Sequence, residues 1–339
     1  MGLQITNIVP KDEIEIEELK GKTLAVDAFN VIYQFLSTIR QPDGTPLQDS
    51  KGRVTSHLSG LFYRNVNLLL EGIKLVYVFD GLHPEQKKAT QDKRMEAKDS
   101  AREKYEKAVD EEDIESMGKY AKQLSFLDDK KIIESKELLE AMGIAVVQAP
   151  GEGEAQASFM CKKGDAYAVA SQDYDCLLFE APKLIQNLTL ATKRKTASGF
   201  IEVKPQFIEL KNVLKELELN QEQLICLGVL CGTDYNPGGV KGIGPKKALK
   251  LVKEYKKAEN VFEFLKKEGK YEVNFSWKEI FELMKKPEVD KNYKIDFPSF
   301  NFDKVKRLLM QHDFSEERIE KQFDKIREMN ENKKQKTLF

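Results

Sequence analysis

The chain has 339 residues, and 55 Lys and Arg against 56 Asp and Glu give a net charge of −1. This balance indicates neither a polyanionic nor a polycationic partner, so a nucleic-acid surface would depend on local basic clusters. Its few histidines are far apart and its cysteines form no C-x-x-C pair, which excludes a zinc site or a His-based triad and leaves an all-oxygen site for a hard cation. Charges in the N-terminal segment and the absence of a long apolar run predict a cytoplasmic protein with reduced thiols and no membrane partner.

Short apolar strands alternate with amphipathic helices through the first two thirds of the chain. Helices are predicted over 54–73 and 151–163. The predicted strands and short apolar runs are 22–27, 74–80, 144–148, 167–171, 177–179 and 184–187. Beyond about residue 205 the pattern becomes helical. The alternation predicts an α/β fold with a mostly parallel central sheet and helices on both faces.

Residues 84–107 interrupt this pattern, because basic and acidic residues alternate there without an apolar stripe. A solvated helix or a mobile insertion is the interpretation that the sequence alone favours. Lys87 and Arg94, however, are two helical turns apart and follow the strand over 74–80 closely. A helix in this segment could hold both cations over a site at the end of that strand. Residues 108–130 are predicted to form a second helix that returns to the sheet.

Acidic residues stand where predicted strands end or helices begin. They are Asp27, Asp80, Glu152, Glu154, Asp173, Asp175 and Asp234. Ligands of open α/β sheets bind beyond the carboxyl ends of the strands, so these acids could meet in one cleft. Taken singly, each could be a turn former, a helix cap or an acid placed for the helix dipole. Together they indicate bound divalent cations, Mg²⁺ or Mn²⁺, since so many negative charges in one cleft need compensation.

A glycine-rich turn carries the strongest local excess of basic residues. Gly242 and Gly244 make a tight turn, and Pro245 suits the first position of a helix whose free amides would bind a phosphate. Lys246 and Lys247 add positive charge beside it. The alternative is an ordinary helix–turn–helix with a solvated lysine face. A second cluster (Lys193, Arg194 and Lys195) is expected to be a solvated hairpin loop.

Several segments together resemble the archaeal flap endonucleases, members of the structure-specific 5′-nuclease family with a PIN-like fold. The segments are VDAFNVIYQFL, IRQPDGTPL, GRVTSHLSGLFYR, VYVFDG, APGEGEAQA, SQDYDCLLF, QNLT and GTDYNPGGVKGIGPKKAL. The similarity runs from Met1 to about Asp324. It implies a phosphodiesterase that uses two Mg²⁺ ions to cut branched or flap DNA at junctions, in DNA replication and repair, with both endonuclease and 5′–3′ exonuclease activity. The seven acids match the metal-site carboxylates of the family.

The resemblance also assigns the other candidate residues. Lys87 and Arg94 match the basic pair of a helical arch that neutralises charge on the phosphoryl oxygens, and Tyr33 matches an aromatic side chain that stacks near the scissile nucleotide. Gly242 and Gly244 fall on a helix–two-turn–helix that binds the duplex backbone through a K⁺ ion. Gly2, as the mature N-terminus, would lie near the active site and contact DNA.

The resemblance further predicts five regions and a monomer. These are 1–82 and 131–257 for the nuclease core, 83–130 for the arch, 258–329 for a helical C-terminal region and 330–339 for a flexible tail, with the helix–two-turn–helix at about 222–257. The tail holds a shortened form of the family's motif for the sliding clamp (PCNA), namely Gln335, Leu338 and Phe339.

Two other functions compete with this interpretation. A Mg²⁺-dependent phosphatase could use VFDG, but it has no use for the glycine turn. A non-catalytic junction-binding protein could use the turn and the arch, but its acids would repel DNA.

Overall fold

The structure is a computed structural model, and it describes residues 3–41, 44–81, 127–188, 193–196 and 199–336. The predictions for Gly2, Lys87, Arg94, Leu338 and Phe339 therefore lie outside the described residues, as does nearly all of the expected arch. No helix in the described part of the chain is long and apolar enough to cross a membrane.

A seven-stranded sheet forms the centre of the fold. Its strands are β1 (Asp12–Glu13), β2 (Thr23–Asp27), β3 (Lys74–Phe79), β4 (Ala145–Gln148), β5 (Ala168–Ala170), β6 (Lys183–Gln186) and β9 (Gln206–Glu209). Their order is β1-β9-β6-β5-β2-β3-β4. The five strands from β6 to β4 are parallel, with Asp27 opposite Val78, and β9 and β1 extend the sheet in antiparallel pairing. A separate hairpin consists of β7 (Lys193–Thr196) and β8 (Gly199–Glu202).

Helices cover both faces of the sheet, as the alternating pattern predicts. They are α1 (Ala28–Thr38), α2 (Ser56–Leu70), α3 (Asp129–Ala141), α4 (Gly153–Lys163), α5 (Asp175–Leu178), α6 (Leu210–Leu217), α7 (Gln221–Cys231), α8 (Pro245–Tyr255), α9 (Ala258–Glu268), α10 (Trp277–Lys285), α11 (Phe302–Met310) and α12 (Glu316–Lys336). A 3₁₀ helix spans Ile16–Leu19.

Side chains of the central strands alternate between two apolar cores. In β2, Ala25 packs into the core that contains residues of α4 and α7, whereas Leu24 and Val26 pack into the core with α1, α2 and α3. The same alternation runs along β3. Successive side chains of a strand point to opposite faces, so this period of two produces the predicted three-layer arrangement.

Three local expectations are wrong. The apolar run 177–179 continues the short helix α5 instead of forming a strand, and β9 occupies the region expected to be helical. Lys193, Arg194 and Lys195 lie in a strand of the β7–β8 hairpin, not in its loop. Helix α12 extends to Lys336 and so reaches into the predicted tail, whose flexibility stays a prediction. A propensity pattern cannot distinguish these cases because pairing partners and packing decide them.

Two histidines that are distant in sequence meet at one carboxylate. His57 Nε2 lies 3.3 Å from Glu134 Oε2, and His312 Nε2 lies 3.5 Å from Glu134 Oε1. His312 Nδ1 also lies 3.3 Å from Asp49 Oδ2. This pair, far apart in sequence, joins α2, α3 and the turn after α11 to the loop before α2.

Asp49 in this cluster gives a pH-dependent prediction. Burial alone would raise the pKa of Asp49, but hydrogen bonds from the amide and guanidinium of Arg53 and from the amide of Lys51 outweigh it and lower this pKa to about 2. A lowered carboxyl pKa stabilises the fold at pH values above the ordinary Asp pKa near 4. This stabilisation is lost as the pH falls towards 2. We expect Asp49→Asn to lower the thermal unfolding midpoint at pH 7 by about 2–4 °C.

The difference between Asp49→Asn and the parent should shrink to zero as the pH approaches 2. Thermal unfolding followed by circular dichroism across this range measures it. Asp296→Asn, the same change at an exposed aspartate, is the control and should shift the midpoint little at any pH. A constant difference for Asp49→Asn over the whole range would contradict the lowered pKa.

Candidate metal-dependent nuclease site

The site lies beyond the carboxyl ends of the parallel strands. The chain runs from β2 outward to β3 and β4, then returns to the other side of β2 for β5 and β6. The strand order therefore reverses between β2 and β5, and such a reversal opens a crevice in α/β sheets. Asp27 is the last residue of β2, Asp80 follows β3, and Asp173 follows β5. The predicted strand ends thus bring acids to one edge of the sheet.

Asp27 has two roles. Its Oδ1 accepts a hydrogen bond of 3.1 Å from the amide of Asn30 and so caps the start of α1. Its Oδ2 accepts a hydrogen bond of 3.2 Å from the hydroxyl of Ser171. The helix-cap alternative is therefore correct for one oxygen only, and the other oxygen is directed to the group of acids.

The start of α4 lies against Asp80. Glu152 is the N-cap residue of α4 and Glu154 lies in its first turn. Between them, the amide of Gly153 donates a hydrogen bond of 2.8 Å to Asp80 Oδ1. The loops that lead from β3 and β4 are also joined, since the amide of Gly81 donates to the carbonyl oxygen of Gly151 at 2.7 Å. The two glutamates and Asp80 are therefore held together by backbone contacts.

The remaining three acids come from segments further along the chain. Asp173 accepts a hydrogen bond of 3.1 Å from the amide of Leu3, which brings the N-terminal segment to the site. Asp175 is the first residue of α5 and is 3% exposed. Asp234 follows α7 rather than a strand. Its neighbour Tyr235 donates a hydrogen bond of 2.6 Å from its hydroxyl to Glu152 Oε1.

The acids act on each other electrostatically. Burial and the charge of Asp80 raise the pKa of Asp27 to about 7, against the hydrogen bonds from Asn30, Ser171 and Glu154. Burial raises the pKa of Glu154 well above its ordinary value. The charges that add to this rise in pKa are those of Asp173, Asp27, Asp175 and Glu152. Burial and the charge of Asp234 raise the pKa of Asp173. All seven predicted acids therefore belong to one group of mutually repelling carboxylates.

The donor atoms suit hard divalent cations. They are carboxylate oxygens, which Mg²⁺ and Mn²⁺ prefer. Within the described residues, no three Asp, Glu, His or Cys side chains form a ready-made metal cage. The residues present therefore fit a hard divalent cation by the chemistry of their oxygen atoms.

Three contacts of the site have a weak signal in the sequence or none. Ser171 lies between β5 and the D-x-D pair, and Tyr235 adjoins Asp234, so proximity in sequence to an acid is the one available signal. The contact of Leu3 with Asp173 joins residues 170 positions apart and has no local signal.

Tyr33 and the glycine turn are the other predicted site features that the structure describes. Tyr33 in α1 is 38% exposed. Gly242 has φ of +81° in the turn before α8, and Gly244 is the N-cap of α8 with Pro245 at its first position, as predicted. Lys247 Nζ donates a hydrogen bond of 3.2 Å to the carbonyl oxygen of Gly242.

One connection joins the glycine turn to the acids. Asp234 and Gly242 both belong to the segment between α7 and α8, and the amide of Val240 in this segment donates to the carbonyl oxygen of Leu230 at 2.9 Å. A Cβ at Gly239 would lie 2.2 Å from the same oxygen, so the segment packs tightly on α7. The turn is therefore held in a fixed relation to Asp234.

Comparison with known proteins agrees with this geometry. The XPG N-terminal domain family matches residues 3–101, and the XPG I-region family matches residues 143–234. Flap endonuclease 1 of Pyrococcus furiosus is 50% identical over 341 aligned positions, covering 100% of this chain and 98% of that protein.

Comparison with solved structures points to the same family. Flap endonuclease-1 from Methanococcus jannaschii is 41% identical and superposes with a TM-score of 0.77, covering 98% of this chain and 100% of that one. The catalytic core of Rad2 in complex with DNA substrate shares the fold at 23% identity, with a TM-score of 0.68 and coverage of 94% and 96%. The chain therefore belongs to the flap endonuclease family of metal-dependent, structure-specific 5′-nucleases.

Proposed function

We propose that this protein cuts the phosphodiester backbone of 5′-flapped and other branched DNA at the junction, with two Mg²⁺ ions, during DNA replication and repair. The observation that carries the proposal is the group of seven mutually repelling carboxylates at the reversal point of the sheet. Negative charge of this density would exclude DNA unless cations bridge it to phosphate. The products would carry a 5′ phosphate and a 3′ hydroxyl.

Each acid receives a role in this proposal. Asp80 and Glu154 would hold one cation and Asp173 and Asp175 the other, with Mn²⁺ as a possible substitute for Mg²⁺. Asp27, Glu152 and Asp234 would act partly through water. When bound, divalent cations withdraw charge from the scissile phosphate and make water a better nucleophile.

The protein's own residues would hold the metal ligands in place and position the substrate. Hydrogen bonds from Asn30 and Ser171 hold the two oxygens of Asp27, and the amide of Gly153 holds Asp80. Lys87 and Arg94 would neutralise charge that develops on the phosphoryl oxygens. The exposed ring of Tyr33 would stack on an unpaired base near the scissile bond.

The glycine turn would anchor the duplex away from the cut. The amides at the start of α8, after Gly244, suit backbone phosphate, and a K⁺ ion would add to this contact. Lys246 would contribute charge. The hydrogen bond of Lys247 to the carbonyl oxygen of Gly242 supports a role in shaping the turn as well as in binding DNA. Contacts of this kind read the backbone rather than the base sequence, so junction geometry would set specificity.

We further propose a monomeric, cytoplasmic enzyme whose Gly2 lies near the substrate. The contact of Leu3 with Asp173 supports the last point. Gln335, Leu338 and Phe339 would form a shortened contact with the sliding clamp.

A 5′-labelled double-flap DNA tests the central proposal. In Mg²⁺ we expect incision at the junction or one nucleotide inside it, in EDTA none, and on a sequence-matched unbranched duplex much slower cutting. Product length on a sequencing gel measures the position of the cut. Tight binding of the flap without incision in Mg²⁺ or Mn²⁺ would instead support a junction-binding protein.

A further inference from the structure

The hydroxyl of Ser171 touches three of the acids. Ser171 is 3% exposed and directly follows β5. Its Oγ lies 3.2 Å from Asp27 Oδ2 and 3.1 Å from Glu154 Oε1, and it accepts a hydrogen bond of 3.1 Å from the amide of Asp173. These acids come from the end of β2, the first turn of α4 and the loop after β5. Ser171 is therefore a point where three separate segments of the site meet.

A serine hydroxyl is suited to this position by its chemistry. It has one proton to donate and two lone pairs that accept. The amide of Asp173 uses one lone pair, and the single proton can serve Asp27 or Glu154 by rotation of the hydroxyl. The hydroxyl therefore gives Asp27 and Glu154 a common neutral partner within hydrogen-bond distance and adds no charge of its own.

The backbone around Ser171 is fixed by the sheet. The amide of Ser171 donates to the carbonyl oxygen of Ile185 in β6 at 3.3 Å. The next residue, Gln172, donates its amide to Asn30 Oδ1 at 3.3 Å, and its carbonyl oxygen accepts from Gln186 Nε2 at 2.8 Å. The position of the hydroxyl is thus set by β5, β6 and α1 together.

We propose that Ser171 is a positioning residue of the metal-dependent reaction, whose hydroxyl holds the carboxylates of Asp27 and Glu154 at the spacing that a divalent cation requires. This inference rests on the proposed metal role of these acids. Groups that hydrogen-bond to metal ligands from outside typically contribute ten- to hundredfold to metal affinity or activity. Ser171 should therefore act on the affinity for the cation and leave the affinity for DNA unchanged.

Binding of Mn²⁺ to the DNA-free full-length protein, followed by electron paramagnetic resonance, tests the inference. We expect Ser171→Ala to weaken Mn²⁺ binding about tenfold and Ser171→Thr, which keeps the hydroxyl, to stay within about threefold of the parent. Under single turnover, the Mg²⁺ concentration for half-maximal flap cleavage should rise about tenfold in Ser171→Ala, while flap affinity in EDTA stays the same.

Ser158→Ala is the matched control. Ser158 is also a fully buried serine beside the site, but its hydroxyl donates to the backbone carbonyl oxygens of Glu154 and Cys176 instead of to carboxylates. We expect Mn²⁺ affinity within about twofold of the parent for this variant. Thermal unfolding of each variant shows that it is folded before its affinity is compared.

Three results would overturn the inference. Parental Mn²⁺ affinity in Ser171→Ala would show that the hydroxyl does not position the acids. An equal loss in Ser171→Thr would show that the hydroxyl is not the relevant group, and an equal loss in Ser158→Ala would show a general packing effect. The Mn²⁺ measurement needs no DNA, so it reports on Ser171 whether or not the parent protein cuts flap DNA. Failure of the parent protein to cut flap DNA would refute the proposed function and not this inference.

Discussion

Replacement of Asp175 by Asn is expected to abolish flap cleavage while flap DNA still binds with nearly parental affinity. Asp175 is almost fully buried, and its charge is one of those that raise the pKa of Glu154. Asn has the same shape but no charge, so it is a poor ligand for a hard cation. Since groups that only support metal ligands contribute ten- to hundredfold, we expect the loss of a ligand to slow cleavage by more than about a hundredfold.

Stability separates this catalytic role from a structural one. Removal of one charge from a group of repelling carboxylates relieves repulsion in the folded state, so Asp175→Asn in EDTA should unfold at a temperature no lower than the parent. Single-turnover cleavage in Mg²⁺, flap binding by fluorescence anisotropy in EDTA and thermal unfolding in EDTA measure the three quantities.

Asp165→Asn provides the matched control for this variant. Asp165 lies before β5, at the opposite end of the strand from the site, where it contacts Tyr293 and Lys163. The same chemical change there should leave cleavage at the parental rate. Parallel losses of binding, cleavage and stability in Asp175→Asn would mean that this acid holds the fold together, and its assignment as a metal ligand would be wrong.

The sequence predicts the part of this site that depends on strand direction. A run such as TLAVDAFN ends a buried strand at an acid, and parallel strands place their carboxyl ends at one edge, so convergence of Asp27, Asp80 and Asp173 follows from topology alone. The paired glutamates after A-P-G follow from the expected start of α4. Tertiary contacts then fix how these carboxylates face each other, with Ser171 and Tyr235 as partners that no spacing rule indicates.

Features that depend on distant pairing are the ones that sequence patterns miss. Strand β9 exists because it pairs with β6 and β1, although its surroundings look helical. His57 and His312 are 255 positions apart, yet both contact Glu134 because α2 and α11 both pack on α3. Such contacts carry no periodic signal, since neither residue changes the local pattern of its own segment.

Gly153→Ala, which adds a methyl group at the start of α4, is expected to slow catalysis more than any other substitution considered except Asp175→Asn. A Cβ at Gly153 would lie 2.5 Å from Asp80 Oδ1 and 3.2 Å from the carbonyl oxygen of Val78. The carbonyl belongs to β3 and cannot move far, so the carboxylate of Asp80 would turn away and lose its hydrogen bond from the amide of residue 153. A displacement of about 1 Å in a reacting group can cost about a hundredfold in rate, and we expect a loss of this size for Gly153→Ala.

The fold should tolerate this substitution, which makes the prediction specific to the site. Alanine favours a helix over glycine by about 1 kcal/mol in helix interiors, and position 153 is the first residue of α4. Gly151→Ala is the matched control two residues earlier, because among the described residues a Cβ there meets only the carbonyl oxygen of Glu288, at 4.0 Å. Single-turnover cleavage over a range of Mg²⁺ concentrations compares the two variants with the parent.

The dependence on Mg²⁺ shows how Gly153 acts. If its close contact serves to aim the carboxylate of Asp80, Gly153→Ala should need more Mg²⁺ for half-maximal cleavage, whereas Gly151→Ala should follow the parental curve. Equal rates for all three proteins would mean that the orientation of Asp80 set by the amide of Gly153 is not required, and that the cation is held by the other acids. A glycine in the first turn of α4 would then serve packing against β3 alone, through its contact with the carbonyl oxygen of Val78.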